Sequence, residues 1–138
     1  MALWLLKTEP EEYSFSDLEQ AGRDVWDGVK NPTALRNLRA MAPGDLAFIY
    51  HTGQERAVVG VAEVVSYPYP DPRADDPRYV VVDVRARERL PRPVTLAEIK
   101  RDPAFAGWEL VRLPRLSVLP VSEAHWQRII SLSHKPAG

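Results

Sequence analysis

The stretch Tyr79-Val-Val-Val-Asp-Val-Arg-Ala-Arg-Glu-Arg89 governs how the rest of the chain is read. Val80, Val82, Val84 and Ala86 fall on one face of an extended chain. Asp83, Arg85 and Arg87 fall on the other, with Val81. That alternation predicts a strand with one buried and one wet face. Working outward, Ala57 to Val65 reads as another strand, with Gly60 as a candidate bulge or point of close approach. Leu46 to Tyr50 pairs with it as a hairpin through the connection His51 to Arg56. Leu3 to Lys7 predicts a first strand and Leu116 to Leu119 a late one. Between them, Ser16-Asp-Leu-Glu19 carries a capping-box pattern, so a short helix is expected from Ser16 to Ala21, ended by Gly22. Trp26-Asp-Gly28 reads as a turn. Asn31-Pro32 suits the start of a helix over Pro32 to Met41, with Leu35, Leu38 and Met41 on one face. Pro43-Gly-Asp45 breaks it. Leu96 to Lys100 predicts a short helix, and Ser122 to Leu132 a closing one with Trp126, Ile129 and Ile130 inward. The order is strand, helices, several strands, helix, strand, helix. It predicts an α+β fold with a curved or closed antiparallel-rich sheet and helices outside. Strand and helix do not alternate regularly, which excludes a doubly wound α/β fold.

The chain has 138 residues, the size of a single domain covering residues 1–138. Its 45% hydrophobic and 27% charged content is neither disordered nor membrane-like. There is no cysteine, which excludes disulfides and thiolate metal sites. The apolar run before Lys7 is too short for a signal-peptide core or a membrane span. The expectation is a cytoplasmic protein with no membrane partner and, by default, a monomer. Net charge is −1, so the chain lacks the basic excess of proteins that track long nucleic acid. Charge is uneven, however. Arg85, Arg87, Arg89, Arg92, Lys100, Arg101, Arg112 and Arg115 outnumber Glu88, Glu98, Asp102 and Glu109. This is either a local basic face or a solvated surface of mixed charge. The proline-rich segment Tyr67 to Pro77 reads as an irregular loop between strands.

Catalytic patterns are weak. His51, His125 and His134 show no paired ligand spacing, so no metal or other cofactor is expected. No nucleophile elbow and no glycine-rich phosphate loop is present. Binding is better supported. Trp26 lies outside any periodic apolar run and either stacks on a flat ligand or fills the gap between two helices. Asn31, Thr8 and Ser14 have groups that can read a base edge. Glu9 can accept from an exocyclic amine, and Lys7 can donate to a carbonyl or phosphate. Asn31 and Ser14 serve equally as helix caps, and Tyr50 and His51 as a strand end.

Taken together, these stretches resemble the EVE domain, the family that includes thymocyte nuclear protein. The motifs are Leu-Leu-Lys-Thr-Glu-Pro10, Tyr13-Ser14, Trp26-Asp-Gly-Val-Lys-Asn31, Gly44-Asp45, Phe48-Ile-Tyr-His-Thr52 and Tyr79-Val-Val-Val-Asp83. Arg115-Leu-Ser-Val118 and Trp126 continue them, so the resemblance spans nearly the whole chain. It implies a PUA-like fold, a bent, strand-rich β-barrel with short helices packed around it. The family is similar to the YTH domain, which grips a methylated adenine in an aromatic cage. The resemblance therefore implies a non-enzymatic nucleic-acid partner with a modified base, DNA ahead of RNA and a modified cytosine first. An RNA-binding module and a nucleotide-directed enzyme with His51 as general base are the alternatives. By motif position, Trp26 would be the stacking wall, ringed by Asn31, Ser14, Thr8, Glu9, Lys7, Tyr50 and His51. Arg112 and Ser117 would close the pocket or meet phosphate, with Lys30 and Arg36 also on the phosphate side. The Tyr67 to Pro77 loop looks particular to this chain and is expected to affect access.

Overall fold

A computed structural model describes residues 1–136 of the chain; the expected domain of 1–138 runs past them. Seven strands and five short helices form an α+β fold around one core. The strands are β1 (Leu3–Thr8), β2 (Arg23–Trp26), β3 (Leu46–His51), β4 (Ala57–Val64), β5 (Tyr69–Pro70), β6 (Val80–Thr95) and β7 (Val118–Pro120). They pair in the order β2-β6-β4-β3-β1-β7, with β5 added to β6. All pairs are antiparallel except β1 with β3. The sheet bends but its pairing path is open, because β2 and β7 do not meet. The helices are α1 (Phe15–Ala21), α2 (Pro32–Arg39), α3 (Leu96–Arg101), α4 (Glu109–Arg112) and α5 (Glu123–Ser133). None of the helices among the described residues is long and apolar enough to cross a membrane.

The alternating stretch is indeed the spine. Val80, Val82 and Val84 are buried, and β6 extends past Arg89 to Thr95. Pro91 and Pro93 hide this extension in the sequence, since proline weakens a strand reading. The ladder absorbs them in an irregularity: β4 steps from Val58 to Gly60 while β6 steps from Val94 back to Arg89. A further shift lies between Val61 and Ala62. Such irregularities sharpen local bend and twist. Gly60 sits in this region beneath Phe15. A Cβ placed there would lie 2.4 Å from the Phe15 ring, so α1 rests directly on backbone.

Two local readings are corrected. The cap of α1 is Ser14, whose hydroxyl accepts from Asp17 N while the Asp17 carboxylate accepts from Ser14 N; Ser16 plays no part in it. Trp26 is not in a turn but ends β2, opposite Val82. Strand β2 escapes a pattern reading because Arg23-Asp-Val-Trp26 is a short strand with little buried surface. Of the two readings left open for residues 85–117, a local basic face or a surface of mixed charge, the β6 arginines fit the second. Arg85 and Arg87 pair with Glu63, Arg89 with Glu19, and Arg92 with Glu98.

Candidate functional site

The connection after β1 builds the site. Lys7 and Thr8 end β1, and residues 9–14 turn back into α1. The Thr8 hydroxyl donates to the Tyr13 carbonyl at 2.7 Å, and Tyr13 N donates to the Glu9 carbonyl at 2.9 Å. This ties the loop into a compact turn. From it the Tyr13 side chain reaches across to β2. Its hydroxyl donates to Asp24 Oδ2 at 2.6 Å, and its ring meets Trp26 edge-on at 6.3 Å between centroids. The second Asp24 oxygen accepts from Val25 N at 2.8 Å. Burial first, and then the bond to Asp24, push the Tyr13 phenol well above its ordinary value.

Between this loop and β2 lies a cavity of about 580 Å³, within the range of ligand pockets. Trp26, 6% exposed, and Tyr13 give it an aromatic wall. Glu9, Glu12, Asp24 and Asp27 give it four carboxylates. Lys7 and Arg73 are its only cations among the described residues. Burial pulls the Lys7 ammonium below its ordinary value, and its Nζ donates to the Pro114 carbonyl at 2.9 Å. The Glu9 carboxylate is steadied by the Thr52 hydroxyl at 3.2 Å. Arg73 arrives from the 67–77 loop and approaches Asp27 at 3.5 Å, so that loop borders the cavity.

The structure thus gathers Trp26, Lys7, Thr8 and Glu9 from the expected residues. Tyr50 lines a smaller neighbouring cleft, which also includes Lys7. The others stand elsewhere. Ser14 caps α1. Asn31 caps α2 through Oδ1 to Ala34 N at 3.0 Å, and borders a separate groove with Leu113 to Leu116. His51 is buried: Nε2 accepts from Phe15 N at 3.0 Å and Nδ1 meets Glu55 at 2.7 Å. That pattern places the proton on Nδ1 and leaves neither ring nitrogen free for a ligand. Arg112 is exposed and donates to the Gly107 carbonyl, and the Ser117 carbonyl accepts from Lys7 N. Lys30 and Arg36 are exposed beside and on α2. Glu12, Tyr13, Asp24, Asp27 and Arg73 line the same cavity and were not named from the sequence as pocket residues. Tyr13 stood next to Ser14 in the family motif, and the 67–77 loop had been marked for access. Glu12 and Asp24 gave no signal of their own, and strand β2 was not read in the sequence, while Asp27 stood in the expected Trp26-Asp-Gly28 turn without being singled out.

Comparison with known proteins follows the same outline. The EVE domain profile matches residues 2–132. Thymocyte nuclear protein 1 of Homo sapiens is 30% identical over 166 aligned residues, covering 96% of this chain and 74% of the relative. A crystal structure of a protein from Agrobacterium tumefaciens superposes with a TM-score of 0.94 at 36% identity, covering 97% of this chain and 94% of the other. The crystal structure of human THYN1 in complex with DNA containing 5-methylcytosine superposes with a TM-score of 0.91 at 29% identity, covering 99% and 100%. On its profile match and its relatives, the chain belongs to the EVE domain family.

Proposed function

We propose that this protein is a non-catalytic reader of DNA that holds one modified cytosine, turned out of the strand, in the Trp26 cavity. The observation that carries the reading is the composition of that cavity. An aromatic wall of Trp26 and Tyr13 shares it with carboxylates, a group that can accept from an exocyclic amine. A carboxylate can accept from the exocyclic amine of cytosine, which thymine lacks, and Lys7 can donate to the cytosine carbonyl. The human THYN1 complex with 5-methylcytosine DNA, on a closely similar fold, supports the same ligand class. A base in a duplex reaches such a cavity only by flipping, at a cost of a few kcal/mol. Contact with the aromatic wall returns about 1–3 kcal/mol, and the edge hydrogen bonds add to it. A methyl group adds about 1–3 kcal/mol of discrimination at most, so preference over unmodified cytosine is modest. The engagement of both His51 nitrogens inside the protein supports a binding role over general-base chemistry. A DNA reader works where its DNA lies, so its location is the DNA-containing compartment rather than the cytoplasm at large.

Indole N–H resonances test this, because the tryptophans differ in their partners. Trp4 donates to Asp45 and Trp108 to the Pro120 carbonyl, while Trp126 stacks on Phe48. Adding a 5-methylcytosine oligonucleotide should move the Trp26 resonance, identified by Trp26→Phe, and leave the other three in place. DNA binding with an unmoved Trp26 signal would place the base elsewhere.

A further inference from the structure

We propose that the cleft formed by Lys7, Arg56 and Lys100 around Tyr50 is a phosphate subsite, which holds the backbone next to the base in the Trp26 cavity. The inference rests on the base-reading role above and adds where the charge of the strand goes. The base cavity cannot take it, because four carboxylates line that space. The adjoining cleft has the opposite character. It measures about 200 Å³, shares Lys7 with the base cavity, and has Lys7, Arg56 and Lys100 but no carboxylate in its wall. Thr52 and Gly53 form part of its rim.

Its cations are held ready. The arginines along β6 are engaged by Glu63, Glu19 and Glu98, but Arg56 and Lys100 have no ion-pair partner among the described residues. Lys7 Nζ donates one proton to the Pro114 carbonyl and lies 5.7 Å from the centre of the Tyr50 ring. Arg56 has φ 43°, the left-handed conformation that side chains with a Cβ disfavour. Leu96 N donates to the Arg56 carbonyl at 2.8 Å, which fastens the β3–β4 hairpin to the start of α3, the helix that carries Lys100. The nearby acids lie outside its wall. Glu9 accepts from the Thr52 hydroxyl, and Glu55 meets His51. A strand phosphate seated here would sit beside Lys7, so a single nucleotide would bridge the two spaces.

The test is fluorescence anisotropy of labelled oligonucleotides, matched with and without 5-methylcytosine, at several potassium chloride concentrations. It compares the intact protein, Trp26→Ala and the double variant Arg56→Asn/Lys100→Gln. Both residues of the double variant are exposed, and asparagine tolerates left-handed backbone, so the fold is spared. We expect the double variant to bind both oligonucleotides about tenfold more weakly and the slope of log affinity against log salt to shrink by about 0.7–0.9, one phosphate's worth. Its preference for 5-methylcytosine should be unchanged. Unchanged affinity and slope in the double variant overturn the phosphate subsite, even if Trp26→Ala abolishes the preference and so upholds base reading. A smaller slope in a protein that shows no preference at all keeps the subsite and removes the base-reading role instead.

Discussion

The Tyr13 ring stands edge-on to Trp26, with planes at 86°, while its hydroxyl holds Asp24 at 2.6 Å. One side chain thus orients both the aromatic wall and a carboxylate of the same cavity. Tyr13→Phe keeps the ring and removes the bond. Hydrogen bonds to charged groups contribute about 1.5–3 kcal/mol; Tyr13 is part-exposed, so a stability loss of about 1–2 kcal/mol is expected in urea unfolding. Binding of a 5-methylcytosine oligonucleotide should weaken as Asp24 loses its anchor. A variant with the stability and affinity of the intact protein would show that Tyr13 positions nothing.

Gly60 has no room for a side chain. A methyl group there meets the fully buried Phe15 ring at 2.4 Å, and the ring cannot swing away as a flexible chain end would. Overpacking of this kind costs about 1–3 kcal/mol, so Gly60→Ala should lower the urea midpoint. Gly60→Ala combined with Phe15→Leu should recover part of that loss. No recovery would mean that the clash is not the cause.

Asp45 is a buried hub at the start of β3. It accepts from Ala2 N at 2.9 Å, Trp4 Nε1 at 3.0 Å and Ala42 N at 3.0 Å. Asp45→Ala strands a buried indole N–H and an amide, so a loss of about 2–4 kcal/mol is expected. Thermal or urea unfolding measures it, and a neutral result would contradict the network.

Acid should unfold the protein from its carboxylates. Hydrogen bonds from Arg85 to Glu63, Tyr69 to Asp83, and Arg92 to Glu98 hold those acids below their ordinary values, as do Ala104 N and then Arg128 for Asp102. A carboxylate depressed in the folded state binds fewer protons there than when unfolded. It therefore contributes stability that is complete above its unfolded value and is lost as pH falls through its folded one. The urea midpoint should be flat at neutral pH and decline below about pH 4.5. Glu98→Gln should lower the neutral plateau and soften the decline. A midpoint that rises on acidification would reverse the sign of this linkage.

These residues also show what was legible in sequence. Strand β6 announced itself because Val80, Val82 and Val84 alternate with Asp83 and Arg85, although Val81 on the second face is buried as well. Gly60 announced itself because glycine inside a strand needs a reason, and Phe15 is that reason. Strand β2 stayed hidden because it buries too little to leave a period, so Trp26 looked like a turn residue. In the site, Lys7, Thr8 and Glu9 were legible as one contiguous polar run. Asp24 and Arg73 were not, since only the folded chain brings β2 and the 67–77 loop to the β1 turn. The polar groups of Asn31, Ser14 and His51 were misleading for a shared reason. Each satisfies backbone amides at an element end, a demand as common as ligand binding.

The most direct test of the central claim is the ratio of affinities for matched oligonucleotides with 5-methylcytosine and cytosine, measured with the intact protein and with Trp26→Ala. A base held against Trp26 predicts a ratio above one, of at most about two hundredfold, that collapses toward one in the variant while residual salt-dependent binding persists. Equal binding of both oligonucleotides by both proteins would contradict it.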